Sequence, residues 1–485
     1  MNELENLKPQ AIWKHFYSLT RIPRPSKKEG EIIQFMREFG ENLGLETIVD
    51  EVGNVIIRKP ATSGMENKKG VILQAHLDMV PQKNSDTDHD FEKDPIEAYV
   101  DGEWVTAKGT TLGSDNGMGV AAAMAVLESK ELQHGPVEAL FTIDEESGMT
   151  GAENLKPGLL KGDILLNMDS EDEGELYVGC AGGVDTISTY TMKRSDAQDS
   201  SGYKLIVKGL KGGHSGLDIH LNRGNACLII NKVLKTAAER LNVSLSSIDA
   251  GSLRNAIPRE AFADVAVPTE NANAFEAFIT EAGNREKEIY REIDPGLSIS
   301  VEKIEAPDTL IDKEIQTGLF EAVENCPNGV IKWSEDMPGV VETSSNLSII
   351  KSDQDKIEIL CLTRSAVDNE RDRVAYEIAE VFRKNGAEVV HEGAYPGWKP
   401  NPESDILKVM KRVYDKDFGK VPAVKVIHAG LECGILGAAY PHWDMISFGP
   451  TIRYPHSPDE KVHIGTVEKF WKFLVETLTH IPEKD

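Results

Sequence analysis

The sequence is poor in basic residues and in cysteine, and it contains no long apolar run. Its 53 Lys and Arg residues against 80 Asp and Glu residues give a formal charge of −27, which argues against a surface for nucleic acids or anionic membranes. Five scattered cysteines without a CxxC pair argue against a disulfide framework and against a cysteine-rich zinc site. No apolar run approaches the ~20 residues that span a bilayer.

The N-terminus also lacks the apolar core of a signal peptide, because it opens with the acidic stretch Met1–Glu5. We therefore expect a cytoplasmic protein. The 485 residues exceed one usual hydrophobic core, so two domains are expected. A content of 40% hydrophobic and 27% charged residues is typical of a globular protein.

Three short apolar segments, each a predicted strand, run directly into His, Asp or Glu side chains. An isolated His-x-Asp pair is more often an ordinary surface pair, so the recurrence is what carries the prediction. Ligands bind at the carboxyl ends of strands in open α/β sheets. Acidic and imidazole side chains gathered there need a compensating cation, so we expect a metal centre. The segments are Val71–Ala75 before His76 and Asp78, Val137–Ile143 before Asp144, Glu145 and Glu146, and Asp163–Met168 before Asp169.

Asp115 lies in a glycine-flanked turn, Gly113–Gly117, ahead of a stretch that is small and apolar on all sides. That stretch, 118–127, predicts a buried helix. Asp115 is then either the N-cap of this helix or, because the glycines indicate a close backbone approach, a member of a crowded ligand site. Both interpretations stay open here.

The middle of the chain has a different texture from its two ends. Predicted strands and helices alternate irregularly between about 186 and 391, as in an α+β layer. A strand near Met445–Phe448 returns to the first sheet. We therefore predict an α/β protein whose first domain, 1–185 and 392–485, is interrupted by an inserted α+β domain, 186–391.

Five motifs in one order carry a family resemblance. They are Leu-Gln-Ala-His-Leu-Asp-Met-Val-Pro with His76 and Asp78, Gly-Ser-Asp-Asn-Gly with Asp115, Thr-Ile-Asp-Glu-Glu-Ser-Gly with Glu145 and Glu146, Asn-Met-Asp-Ser with Asp169, and His-Ser-Pro-Asp-Glu with His456 and Glu460. Together they resemble the co-catalytic zinc peptidases: carnosinases, tripeptide aminopeptidases, aminoacylases and succinyl-diaminopimelate desuccinylase. The stretches Ile22–Lys27 and Leu140–Ala152 look most similar to the bacterial Xaa-His dipeptidase branch.

The resemblance implies a catalytic domain with a mixed central sheet flanked by helices, and an inserted lid and dimerisation domain. It also implies two divalent metal ions per subunit, most simply zinc, with manganese or cobalt as alternatives. Asp115 would bridge the two ions, and the peptide bond that follows it is expected to be cis. The implied ligands are His76 and Asp169 on one ion, Glu146 and His456 on the other, and Asp115 on both.

Glu145 is implied as the general base, taking a proton from the water that bridges the ions and passing one to the leaving amine. An isolated Glu-Glu pair would as readily be a solvated face. Asp78 is implied as the carboxylate that orients His76.

Four further residues match family positions for substrate contacts. His214, in Gly-Gly-His-Ser-Gly, would contact substrate or the oxyanion, often from the neighbouring subunit, although a glycine-flanked His is also a common turn feature. Asn255 and Arg364 would meet a substrate carboxylate, and a surface charge is nearly as good an interpretation of Arg364. Glu432 is expected to meet the substrate's amino group.

The resemblance therefore implies a metal-dependent dipeptidase acting on Xaa-His dipeptides, including β-alanyl-histidine, and forming a homodimer through the lid domain. No residue identified in the sequence encodes histidine recognition. One alternative is the same hydrolase acting on tripeptides or N-acyl amino acids, and a remote one is a non-catalytic binding protein. A serine or cysteine hydrolase has little support, because no Gly-x-Ser-x-Gly elbow or Cys–His motif is present.

Overall fold

The computed structural model describes residues 3–197 and 199–484, and the chain forms two compact units. The first unit comprises Met1–Gly179, Pro400–Val426 and Leu431–Asp485, and the second comprises Cys180–Lys399 and Ile427–Gly430. The predicted insertion, 186–391, lies within the second unit. The predicted fold class, α/β with a mixed central sheet flanked by helices, is confirmed.

Most helices bury one apolar face and expose the other, whereas the helix predicted after Gly113 is buried almost all round, from Asn116 to Leu127. The α-helices are α1 (Gln10–Thr20), α2 (Gly30–Asn42), α3 (Ser114–Glu128), α4 (Glu145–Gly148), α5 (Thr150–Glu153), α6 (Ala226–Leu241), α7 (Ala272–Ile289), α8 (Lys313–Asn325), α9 (Asp368–Lys384), α10 (Asp405–Phe418), α11 (Glu432–Ala439) and α12 (Ile464–Thr479). Among the residues described, no helix is both long and apolar enough to cross a membrane.

The strands are numbered in chain order. β9–β21 lie in the second unit, and the strands before and after them lie mainly in the first. They are β1 (Glu46–Val49), β2 (Val55–Lys59), β3 (Val71–His76), β4 (Ala98–Asp101), β5 (Trp104–Ala107), β6 (Val137–Thr142), β7 (Ile164–Asn167), β8 (Glu175–Cys180), β9 (Gly182–Thr191), β10 (Arg194–Asp196), β11 (Ser200–Lys208), β12 (Gly213–His214), β13 (Ser244–Ala250), β14 (Ala256–Ile257), β15 (Ala261–Pro268), β16 (Ser298–Ile304), β17 (Thr309–Ile311), β18 (Gly329–Trp333), β19 (Val341–Ser352), β20 (Lys356–Ser365), β21 (Glu388–Tyr395), β22 (Ala423–Ile427), β23 (Asp444–Ser447), β24 (Ile452–Arg453) and β25 (Lys461–His463).

The central sheet of the first unit has the strand order β1-β2-β6-β3-β7-β23-β8-β22. β3 runs parallel to β6 and to β7, whereas β2 pairs antiparallel with β6. All residues of β3, β6 and β7 are buried, which explains their continuous apolar runs. His76 lies opposite Thr142 in the register, so the residues that follow β3, β6 and β7 emerge at one edge. We call this end of the strands, with His76, Asp144 and Asp169, the carboxyl edge.

The second unit is built on a large antiparallel sheet of order β16-β11-β15-β13-β19-β20-β9-β21, with β18 beside β19. Its core contains side chains from the sheet and from α6, α7, α8 and α9, including the buried Tyr203, Phe275 and Phe382. An antiparallel sheet covered by helices gives this unit the predicted α+β character.

Candidate active site

The carboxyl edge brings the predicted ligands and Glu145 into one cluster. β3 ends at His76, β6 ends two residues before Asp144, and β7 ends two residues before Asp169. Asp115 and His456 join them from the start of α3 and from the loop between β24 and β25. Ligand atoms lie within 4.8 Å of one another in each of three groups: His76, Asp115 and Asp169; His76, Glu145 and Glu146; and Asp115, Glu146 and His456.

His76 is buried and turns one ring nitrogen to each side. Its Nε2 lies 3.2 Å from Asp115 Oδ1 and 3.2 Å from Asp169 Oδ1. Its Nδ1 lies 3.2 Å from the backbone oxygen of Asp78 and 3.4 Å from Asp78 Oδ1. With its proton on Nδ1, beside Asp78, the neutral ring presents the lone pair of Nε2 on the side of Asp115 and Asp169.

Asp78 is fully buried and orients its neighbours. Its carboxylate accepts hydrogen bonds from Ser26 Oγ at 2.8 Å and from the amides of Glu145 and Glu146 at 3.0 and 3.2 Å. Burial raises its pKa, but the hydrogen bond and charge of His76, together with the hydrogen bonds from Glu145 and Ser26, outweigh burial and lower the pKa to about 2. Asp78 thus stays ionised, holding both the His76 ring and the first turn of α4.

Asp115 directs its two carboxylate oxygens to two different histidines. Oδ1 faces His76, and Oδ2 lies 3.3 Å from His456 Nε2. The peptide bond between Asp115 and Asn116 is cis, as expected from the family resemblance. Both residues have non-helical backbone angles at the start of α3, and Asp115 does not cap the helix. The N-cap interpretation of Asp115 is therefore wrong, and its carboxylate is free to bridge.

Glu460 supplies the cap that Asp115 does not. It is buried, and its Oε2 accepts hydrogen bonds from the amides of Leu112 and Gly113 at 2.7 and 2.9 Å. Its Oε1 accepts from the amide and hydroxyl of Ser114 at 2.7 and 2.6 Å and from the amide of Asp115 at 3.2 Å. Sequence reasoning quoted Glu460 within a motif but gave it no role.

His456 and Glu146 form the other side of the cluster. His456 is about half exposed, has a left-handed backbone with φ 60°, and places Nε2 at 2.9 Å from Glu146 Oε2. Glu146 Oε1 is buried and, among the described residues, has no hydrogen-bond donor. A buried carboxylate oxygen without a donor is a position that a cation would satisfy.

The electrostatics of the cluster point the same way. Burial and the charges of Asp115 and Glu146 raise the pKa of Asp169 to about 7. Burial and the neighbouring carboxylates, which outweigh the charge of His76, raise the Glu145 pKa well above its usual range. Hydrogen bonds to Asp115 and Glu146 raise the pKa of His456 to about 11. Carboxylates are in excess over imidazoles, so divalent cations fit this donor set.

Glu432 lies deeper in the first unit and is fully buried. Its Oε2 accepts hydrogen bonds from Gln74 Nε2 at 2.6 Å and Thr142 Oγ1 at 2.8 Å, and its Oε1 has no donor among the described residues. Burial raises its pKa to about 7. Its predicted contact with a substrate amino group stays a prediction.

A fourth acidic group, formed by Glu29, Asp78 and Asp144, is a support and not a further ligand set. Glu29 Oε1 accepts from the amides of Lys27 and Asp144 at 2.9 and 3.0 Å. Asp144 accepts from the hydroxyls of Ser147 and Thr150. Protein donors therefore already satisfy these carboxylates.

His214, in the second unit, is held as a neutral ring with a defined tautomer. Its Nδ1 accepts hydrogen bonds from the amides of Gly216 and Leu217 at 3.1 and 3.0 Å. Burial and the charge of Arg364 lower its pKa to about 4. The proton of the neutral ring must then be on Nε2, which can donate a hydrogen bond.

Arg364 is also in the second unit and is only 5% exposed, so the surface-charge interpretation is wrong. Its guanidinium donates to Tyr395 Oη at 3.0 Å and to Ser215 Oγ at 3.4 Å. No carboxylate of the described residues forms an ion pair with it. Asn255 is exposed, and its backbone oxygen accepts from the amide of Ser215 at 2.8 Å.

His428 is a buried residue of the second unit that sequence reasoning missed. Its Nε2 lies 2.8 Å from Ser344 Oγ, and its Nδ1 has no partner among the described residues. Burial and the charge of Arg364 lower its pKa to about 3. The only signal in the sequence is that His428 lies four residues before Glu432.

Comparisons with known proteins show the family of the chain. The model of peptidase family M20/M25/M40 matches residues 72–480. The chain is 44% identical over 485 residues to the cytosol non-specific dipeptidase of Escherichia coli (strain K12), with both chains covered in full. The crystal structure of aminoacylhistidine dipeptidase from Vibrio alginolyticus is similar, with a TM-score of 0.95 and 49% identity, covering 100% of this chain and 99% of that one. The chain therefore belongs to peptidase family M20/M25/M40.

Proposed function

We propose that this protein is a metal-dependent dipeptidase whose active site is the cluster at the carboxyl edge of the first unit. The observation that carries the proposal is Asp115, which faces His76 with one oxygen and His456 with the other, beside Glu145. Family membership and the dipeptidase names of two full-length relatives support the reaction class.

Two divalent ions are proposed, with ligands as predicted: His76, Asp115 and Asp169 for one, and Asp115, Glu146 and His456 for the other. Imidazole nitrogens with carboxylate oxygens suit zinc, and manganese or cobalt is also accommodated by such ligands. When bound, such ions would polarise the scissile carbonyl and lower the pKa of the attacking water.

Glu145 is proposed as the general base. It is half-buried, its amide is fixed by Asp78, and its side chain belongs to the cluster. Its raised pKa favours holding a proton between the two steps of the reaction. Glu145 would therefore take a proton from the attacking water and deliver one to the leaving amine.

Within the second unit, His214 and Arg364 are suited to bind parts of a dipeptide. The Nε2–H of His214 can donate to a carbonyl oxygen or an oxyanion. Arg364, a buried cation without a carboxylate partner among the described residues, can bind a terminal carboxylate. Asn255 and Glu432 are proposed as the remaining contacts, to the carboxylate and the amino group.

We infer Xaa-His dipeptides, including β-alanyl-histidine, as substrates from the Vibrio relative's name, whereas the E. coli relative is named non-specific. That relative is also named a cytosol enzyme, which supports a cytoplasmic location. The inserted domain as a lid, and a homodimer formed through it, complete the proposal.

The test is hydrolysis of a substrate panel: several Xaa-His dipeptides, other dipeptides, a tripeptide and an N-acetyl amino acid. Protein would be assayed as prepared, after chelation, and after readdition of zinc, manganese or cobalt. Chelator-sensitive cleavage of dipeptides alone is expected. Cleavage of the tripeptide or acetylated substrate instead would move the protein to another substrate class, and no cleavage by metal-loaded protein would overturn the proposal.

A further inference from the structure

A buried arginine, Arg24, connects the two loops that carry His76 and Asp115. Its side chain is 2% exposed. Nη1 donates to the backbone oxygens of Leu77 and Asp78 at 2.9 and 3.0 Å, and Nη2 donates to the backbone oxygen of Gly113 at 2.5 Å. One planar guanidinium therefore fixes the chain just after His76 and just before Asp115.

The loop around Asp115 is shaped to admit this guanidinium. Gly113 has a positive φ of 72°, and a Cβ there would lie 2.6 Å from Arg24 Nη2. A Cβ on Gly117 would lie 2.8 Å from the same atom. A side chain at either position would therefore have to displace the guanidinium.

Glu460 holds the same loop from its amide side, while Arg24 holds it from its carbonyl side. The two charges lie in each other's field, together with that of Asp78, but Arg24 has no ion pair among the described residues. A buried guanidinium bound only to backbone carbonyls contributes geometry, because its fork fixes three oxygens at once.

Two residues close to Arg24 extend these contacts to the turn before α4. Ser26 donates to Asp78, and Glu29 accepts from the amide of Asp144. The backbone of this segment pairs with Met79. Together, the side chains of Arg24, Ser26 and Glu29 contact the loop after β3, the loop before Asp115 and the turn before α4. The proposed ligands His76, Asp115 and Glu146 lie next to these three loops.

We propose that Arg24 is a positioning residue that, with Glu460, assembles the metal-binding loops through the geometry of its guanidinium fork. The proposal rests on the proposed function for the identity of the loops. The guanidinium of Arg24 donates to backbone oxygens and to no side chain of a proposed metal ligand. Its effect passes through the backbone on both sides of His76 and Asp115.

The experiment compares Arg24→Lys with the native protein and with Arg58→Lys. Arg58 is a matched control because it is also largely buried, in the same unit, and bonds a backbone oxygen (that of Leu159) as well as Glu46 and Glu138. The readouts are Zn²⁺ affinity by competition with a chromogenic chelator, the visible absorption of the Co²⁺-loaded protein, and thermal unfolding of the chelated protein.

Arg24→Lys keeps the charge but loses the fork, so Zn²⁺ affinity is expected to fall about 10- to 100-fold, as for other residues that orient metal ligands. The Co²⁺ spectrum is expected to change in intensity. Arg58→Lys should lower thermal stability while leaving both metal readouts as in the native protein. Native affinity and a native Co²⁺ spectrum in folded Arg24→Lys would overturn the proposal.

Ser114→Ala provides a second route if Arg24→Lys does not fold. It removes only the hydroxyl bond to Glu460, and a roughly threefold to tenfold loss of Zn²⁺ affinity is expected. Native affinity in Ser114→Ala would overturn the proposed role of Glu460 in holding the loop before Asp115. Native protein that binds metal but cleaves no dipeptide would refute the proposed function alone, because the affinity comparison does not use activity.

Discussion

The parallel strands β3, β6 and β7 have ionisable residues at both ends, and the two ends differ in whether the protein satisfies the charges. We call the end at which these strands begin, with Glu138 and Asp163, the amino edge. At the amino edge, Glu138 accepts from Arg58 Nε at 2.8 Å and from the amides of Lys161 and Gly162 at 2.7 and 2.8 Å. At the carboxyl edge, Glu146 retains an oxygen without a donor, and the pKa of Asp169 is about 7. Charges at one edge are satisfied by the protein, whereas those at the other edge require a ligand.

The amino edge also contains a cavity, although its Arg58 and Glu138 are paired. A cavity of about 550 Å³ lies at the amino edge and is lined by Arg58, Glu138 and Asp163. Its buried carboxylate is already paired. The unsatisfied buried oxygen of Glu146 is therefore the observation that favours the carboxyl edge as the proposed active site.

The largest expected effect is that of Glu145→Gln at the carboxyl edge. Removing a general base costs about 10²- to 10⁴-fold in turnover, and we expect kcat for a dipeptide to fall by that range. Because Glu145 is not a proposed ligand, the metal content should stay as in the native protein. Steady-state kinetics measure kcat, and elemental analysis measures the metal content. An unchanged kcat would show that Glu145 is not the general base.

Arg364→Lys tests the buried cation of the second unit. A lysine cannot reproduce the bidentate geometry for a carboxylate, so KM for dipeptides is expected to rise about tenfold or more with a smaller change in kcat. Arg371→Lys is the matched control, since Arg371 is buried in the same unit but is paired with Asp368 and Asp372. Equal effects of the two variants on KM would indicate a structural role for Arg364.

Glu138→Gln, at the amino edge, is expected to lower stability without changing catalysis. The change breaks an ion pair with Arg58 and weakens two backbone hydrogen bonds, so unfolding free energy should fall by about 1–3 kcal/mol. Denaturant unfolding measures this, with kcat/KM expected at the native value. A large loss of kcat/KM would show that the two edges are coupled.

His15 gives a pH effect away from both edges. Burial lowers its pKa from 6.5 to about 4, with Glu128 opposing the shift only in part. The folded state therefore disfavours protonation of His15. The stability that this neutral residue contributes is complete above pH 6.5 and is lost as pH falls toward 4. The free energy of unfolding should fall by about 2 kcal/mol between pH 7 and 5 for this reason. His15→Gln should remove this part of the pH dependence, and an unchanged stability profile would contradict the assignment.

The strands and most of the proposed ligands were predictable because their signals are local. Buried parallel strands appear as continuous apolar runs, and the proposed ligands follow them directly, as with His76 and Asp169. The role of Asp115 was not decidable locally, because the cap that frees its carboxylate is Glu460, 345 residues away. Arg24 likewise acts on Gly113 across 89 residues. Burial of Arg364 depends on packing within a sheet whose pairing the sequence pattern does not specify.

Two divalent ions, both held through Asp115 at the carboxyl edge, are the basis of the proposed function. The most direct measurement is metal stoichiometry after dialysis against Zn²⁺, by elemental analysis of the native protein and of Asp115→Asn, with Asp163→Asn, at the other edge, as a control. Two ions per chain in the native protein and the control, and fewer in Asp115→Asn, are predicted. No tightly bound ion, or two ions retained by Asp115→Asn, would contradict the claim.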